Sequence, residues 1–135
     1  MSVKPAHVLI VEDNALVTSA TRIILEDAGF RVSSASRLAE AYAITRDDAP
    51  DAILLDLRLP DGDGLSLVKR LRDEGMSLPV VVAFTGRDEP EVRARCLEAG
   101  CAEVLVKPVN AAVLASLVRS WLERAGRRFD APTRD

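Results

Sequence analysis

The sequence predicts one doubly wound α/β domain, and three observations carry that prediction. Short apolar runs rich in β-branched residues alternate five times with stretches of helical periodicity, the pattern of a parallel sheet with crossover helices. The runs are continuous rather than alternating in polarity, as strands covered on both faces require. Finally, 135 residues, 48% of them apolar, suffice for one core but not for two.

The first strand is His7 to Val11, cut off by Glu12-Asp13-Asn14. Leu16, Ala20, Ile23, Ile24 and Ala28 then fall at helical spacing, and Gly29 stands where a helix ends in glycine. Phe30 to Ala35 reads as the second strand and Arg37 to Asp47 as the second helix. After Pro50, Ala52 to Asp56 is the third strand, followed by a helix from Gly64 to Asp73 that carries Leu67, Val68 and Leu71 on one face. Leu78-Pro79 introduces Val80 to Phe84, the clearest strand of the chain. Asp88-Glu89-Pro90-Glu91 supplies a cap residue, an early-helix proline and an acid three residues after the cap, so a fourth helix is expected from there to Ala99. Ala102 to Val106 is the fifth strand, and Val113, Leu114, Leu117, Val118, Trp121 and Leu122 form the strongest amphipathic stripe. Residues 1–125 are thus expected to be the folded domain, and residues 126–135, polar and aperiodic, a disordered tail or a linker remnant.

Parallel strands need right-handed crossovers, which leaves few topologies. Five strands and five helices favour the flavodoxin-like order 2-1-3-4-5, whose ligands bind outside the carboxyl ends of the strands, beside the switch point between strands 1 and 3.

Composition narrows the chemistry available there. The formal charge of −3 gives no positive field for a phosphate backbone, so direct nucleic-acid binding is not expected. One histidine and two cysteines cannot build a multi-histidine or Cys-rich metal site. His7 reads as a structural residue, and Cys96 and Cys101 as small buried side chains. The longest apolar runs are far shorter than the roughly 20 residues of a membrane-spanning helix. With no signal-like stretch after Met1, a cytoplasmic protein is expected.

The residues that end the strands are Glu12-Asp13, Asp56, Thr85 and Lys107. Each alone has a bland reading as a helix cap, a turn former or a solvated side chain. Brought to one sheet edge they do not. Three carboxylates in one pocket repel, and a divalent cation resolves the conflict; oxygen-only donors favour Mg²⁺ before Ca²⁺. A hydroxyl and a lysine opposite such an ion cradle the oxygens of a transferring phosphoryl group. Asp56, on the middle strand, is the candidate nucleophile.

Four motifs stand in order along residues His7 to Leu122: Val8-Leu9-Ile10-Val11-Glu12-Asp13-Asn14; Leu54-Leu55-Asp56-Leu57-Arg58-Leu59-Pro60-Asp61-Gly62-Asp63-Gly64; Val82-Ala83-Phe84-Thr85-Gly86; and Val104-Leu105-Val106-Lys107-Pro108. In this the chain resembles the CheY-like receiver domain of bacterial two-component response regulators. The resemblance implies that Asp56 accepts a phosphoryl group from a histidine of a sensor histidine kinase or a histidine phosphotransfer protein. It implies Mg²⁺ held directly by Asp13 and Asp56, through water by Glu12, and by the backbone carbonyl of Arg58. Thr85 would donate its hydroxyl to one phosphoryl oxygen and Lys107 would pair with another, aimed by a cis bond to Pro108. Gly62 and Gly64 would form the tight loop after the third strand. The product is a signalling switch rather than a turnover enzyme. Helix 1 and the loop from Pro108 to Asn110 would dock the kinase, and the output would pass to a protein effector, an output domain or a homodimer partner.

At one position the sequence departs from the pattern. The family's switch couples Thr85 to an aromatic residue three before the lysine, and here that residue is Val104, so the usual ring rotation cannot occur. Phe84 cannot stand in, because neighbouring strand residues face opposite ways. Arg58 and Arg87, each two residues beyond a site residue, are expected to govern water access to the acyl phosphate or else to be solvated.

Three other readings compete. A haloacid-dehalogenase-like phosphatase needs its nucleophile after the first strand and a second Asp two residues on, where this chain has Arg58 after Asp56. A flavodoxin-type mononucleotide binder needs a neutral loop after strand 1, where Glu12-Asp13 would repel phosphate. A receiver fold with a dead site, used only for phosphorylation-independent interaction, is opposed by the intact set of five residues.

Overall fold

A computed structural model describes residues 5–86 and 89–126; Arg87, Asp88 as the expected helix cap, and the polar tail from residue 127 lie outside the described residues. The elements run β1 (His7–Val11), α1 (Ala15–Asp27), β2 (Arg31–Ala35), α2 (Leu38–Asp47), β3 (Ala52–Asp56), β4 (Arg58–Leu59), β5 (Gly62–Asp63), α3 (Leu65–Asp73), β6 (Val80–Thr85), α4 (Pro90–Ala99), β7 (Glu103–Val106) and α5 (Ala111–Arg124). The main sheet is parallel throughout and ordered β2-β1-β3-β6-β7, which is the expected 2-1-3-4-5 of the five long strands. One element was not expected. The stretch read as a loop after the third strand contains a two-residue antiparallel ladder, β4 against β5, because Gly62 at φ +143° lets the chain double back after Pro60-Asp61.

Side-chain alternation along the strands splits the core into two layers. Leu9, Val11, Ile53, Leu55, Val81, Ala83 and Val104 pack with Ala41 of α2, with Leu67, Val68 and Leu71 of α3, and with Cys96 of α4. Val8, Ile10, Leu54 and Val82 pack with Leu25 of α1 and with Leu114, Val118, Trp121 and Leu122 of α5. Phe84 lies against this second layer, opposite Val104. His7 is buried and its Nε2 shares a 2.7 Å hydrogen bond with Ser33 Oγ. Cys96 and Cys101 are free and buried, and burial pushes both thiols up, Cys101 to about 12.

The helix starts show how the loops at the carboxyl ends are held. Asn14 caps α1, its Oδ1 accepting the N–H groups of Leu16 and Val17 at 3.0 and 3.2 Å. The cap on α1 is thus the residue after the acidic pair, and Glu12-Asp13 are left for other work. Asp63 Oδ1 accepts the Leu65 N–H at 2.9 Å at the start of α3. Helix α4 begins on Pro90 and ends at Gly100, at φ +115°. Among the described residues no helix is long and apolar enough to cross a membrane.

Candidate functional site at the carboxyl ends of the strands

The strand register assembles the site. Val11 lies beside Leu55, so Glu12 and Asp13 emerge next to Asp56. Asp56 lies beside Phe84, and Thr85 beside Val106, so the last two site residues emerge on the other side of Asp56. The Lys107 N–H donates to the Thr85 carbonyl at 2.7 Å, extending that pairing to the loop. The result is a cavity of about 760 Å³ lined by Glu12, Asp13, Asp56, Arg58, Thr85 and Lys107 among others. All five strand-end residues expected there are brought together, and Arg58 joins them at the exposed rim. A second cavity of about 670 Å³, between α3 and α4, is lined by side chains of both charges and contains none of the five.

Within the pocket, carboxylate oxygens of Glu12, Asp13 and Asp56 lie within 4.8 Å of one another, the one such acidic group among the described residues. Lys107 enters between two of them: its Nζ stands 2.9 Å from Asp56 Oδ2 and 3.0 Å from Glu12 Oε1. The other oxygens are also engaged, Asp56 Oδ1 by the Arg58 N–H at 3.0 Å and Glu12 Oε2 by the Asn14 N–H at 3.1 Å. Burial pushes the Glu12 carboxyl above the usual range, against the hydrogen bonds from Lys107 and Asn14. Burial works against the Lys107 ammonium too, but the hydrogen bonds and charges of Asp56 and Glu12 outweigh it and raise its pKa.

Three carboxylates against one ammonium leave the pocket with excess negative charge, and Asp13 faces solvent at its mouth. An all-oxygen donor set with that excess, open on one side to water, fits a hard divalent cation that keeps part of its hydration shell.

Pro108 is exposed and its bond to Lys107 is cis. Val104 is 3% exposed and packs in the layer under α2, α3 and α4, an aliphatic side chain with no ring to turn. The sequence reading missed the Glu12–Lys107 contact, which spans 95 positions and leaves no local signal. It also missed Asp63, whose Oδ2 pairs with Arg95 Nη2 of α4 at 2.7 Å on the same cavity wall. An acid between two glycines was the available clue to that contact.

A parallel sheet of this order, with three acids, a hydroxyl and a lysine gathered at its carboxyl edge, defines a doubly wound α/β domain with its ligand pocket at the switch point of the sheet. Comparison with known proteins gives the family. The model of the response regulator receiver domain matches residues 8–119, and the chain belongs to that family. It is 39% identical over 120 residues to the transcriptional regulatory protein CseB of Streptomyces coelicolor, covering 89% of this chain and 50% of that protein. It is 35% identical over 118 residues to the transcriptional regulatory protein PhoP of Escherichia coli K12, covering 87% and 52%. The chain thus spans about half the length of these curated relatives. Among solved structures, a CheY-like response regulator receiver domain protein from Methanospirillum hungatei superposes with a TM-score of 0.82 at 27% identity, covering 91% of this chain and 98% of that one.

Proposed function

We propose that the pocket is the phosphoacceptor site of this receiver domain and that Asp56 is the acceptor. The observation that carries this is Lys107, which reaches from the end of β7 to bridge Glu12 and Asp56, with Asp13 and Thr85 on the same cavity. An Asp56 carboxylate oxygen forms the new P–O bond as the P–N bond to a donor histidine breaks, the electron pair returning to the imidazole. Lys107, already within hydrogen-bond reach of Asp56, pairs with one phosphoryl oxygen, and Thr85, on the same cavity, would donate its hydroxyl to another. Asp13, Asp56, Glu12 and the Arg58 backbone would hold Mg²⁺. When bound, the ion supplies charge neutralisation for the phosphoryl oxygens.

The donor is a sensor histidine kinase or a histidine phosphotransfer protein. Helix α1, which starts beside the pocket and exposes Leu16 and Ile23, offers it an apolar docking face together with the loop at Pro108. The readout passes to an effector, an output domain or a second copy of the chain. The Arg58 side chain, on the exposed rim, and Arg87 set how easily water reaches the acyl phosphate. Unchanged autodephosphorylation in both Arg58→Ala and Arg87→Ala overturns that last point.

The main reading is tested by incubating the protein with Mg²⁺ and acetyl phosphate and measuring intact mass. A phosphoryl adduct that is base-labile and absent from Asp56→Ala is expected. No adduct in the wild type, or an equal adduct in the variant, overturns it.

A further inference from the structure

The loop between β3 and α3 carries Arg58 at one end and is tied at the other by a residue that touches none of the site. Asp61, in the turn between β4 and β5, accepts the Leu38 N–H on Oδ1 at 2.8 Å and the Ala39 N–H on Oδ2 at 3.2 Å. These are the first amides of α2, a helix whose own N-cap position is Arg37, with no side-chain cap. The two N–H donors hold the Asp61 carboxyl below the ordinary carboxylate range. Gly62 presses the turn onto the same place, since a Cβ there would meet Leu38 Cδ1 at 3.3 Å.

The turn and the site are mechanically joined. Arg58 pairs with Asp63 and Leu59 with Gly62, so the position of the turn sets the position of the Arg58 backbone. That backbone donates to Asp56 Oδ1, and Arg58 is among the residues lining the pocket. We propose that Asp61 is a positioning residue for the cation site: by pinning the β4–β5 turn to the N-terminus of α2, it fixes the Arg58 backbone against the three carboxylates. The inference rests on the reading that this pocket binds Mg²⁺.

The test is Mg²⁺ affinity, followed by titration of backbone amide resonances in the wild type, Asp61→Ala, Asp61→Asn and Gly62→Ala. Asp61→Ala is expected to weaken Mg²⁺ about tenfold, the lower end of what outer partners of metal ligands contribute. Asp61→Asn keeps one of the two acceptor oxygens and should fall between Asp61→Ala and the wild type. Wild-type affinity in Asp61→Ala overturns the proposal. A difference between Asp61→Ala and the wild type that vanishes at high ionic strength also overturns it, because the effect would then be charge acting through space. If Asp61→Ala does not fold, Gly62→Ala carries the test: it disturbs the same contact and should weaken Mg²⁺, and unchanged affinity refutes the idea. A wild type that binds no Mg²⁺ overturns the reading beneath it, and the two failures are distinct.

Discussion

Lys107 and Asp56 meet at 2.9 Å, and the carboxylate of that pair is only 13% exposed. The lysine therefore acts as a resident counter-ion for a pocket built from acids. Replacing it by methionine keeps the apolar stem and removes the charge, leaving Glu12 and Asp56 facing each other. Breaking a fully buried pair costs about 3–5 kcal/mol; with Lys107 a third exposed, a loss of about 2 kcal/mol is expected in the absence of Mg²⁺. The same change should tighten Mg²⁺ binding, because an ammonium no longer opposes it. Urea denaturation with and without Mg²⁺ measures both effects, and a variant matching the wild type in both would show that the pair contributes nothing.

Gly64 is required by crowding and not by backbone conformation. Its φ of −54° suits any residue, yet a Cβ there would stand 2.4 Å from the Asp56 carbonyl oxygen. Gly64→Ala must shift backbone beneath the acceptor, at a cost of about 1–3 kcal/mol and with slower acetyl-phosphate labelling of Asp56. Gly75 is the control: at φ +71° with nothing within 4 Å, Gly75→Ala should cost about 1 kcal/mol of backbone strain and leave labelling unchanged. Equal labelling rates in the two variants would refute the distinction.

Val104 stands where the receiver-domain pattern has an aromatic residue. It is 3% exposed and packed with Cys96 and Ala83, so Val104→Tyr should overpack the layer and cost about 1–3 kcal/mol. A tyrosine variant as stable as the wild type would mean the ring finds an outward pocket, and thermal melting decides between these outcomes.

His7 makes stability depend on pH. Burial first, and then the charge of Arg31, lower its pKa from the ordinary 6.5, so the folded state favours the neutral ring and the unfolded chain binds the proton more tightly. The stabilisation is complete above about pH 7 and is lost as the pH falls through about 6.5 towards the lower folded value, with a slope of at most about 1.4 kcal/mol per pH unit. His7→Gln, neutral throughout, should be flatter over that interval. Melting temperatures between about pH 5 and pH 7.5 give the comparison, and parallel curves would remove His7 as the cause.

The fold was legible because its strands are covered on both faces and read as unbroken apolar runs, Val80 to Phe84 above all. The five site residues were legible because strand ends in a parallel sheet share one edge. What stayed hidden was contact between distant residues. Nothing local says that Lys107 reaches Glu12, that Asp61 caps a helix 22 and 23 positions earlier, or that Asp63 pairs with Arg95. The β4–β5 ladder escaped for another reason: two-residue strands have no periodicity to read.

The order β2-β1-β3-β6-β7 also bears on synthesis. The acids come from the first two central strands and the lysine from the last edge strand, 95 positions after Glu12. A nascent chain released up to β6 holds the acceptor and its acidic neighbours but not the cation that pairs with them. The five residues of the pocket are therefore complete only when the sheet closes on its final strand, and until then the acids of β1 and β3 stand without their counter-ion.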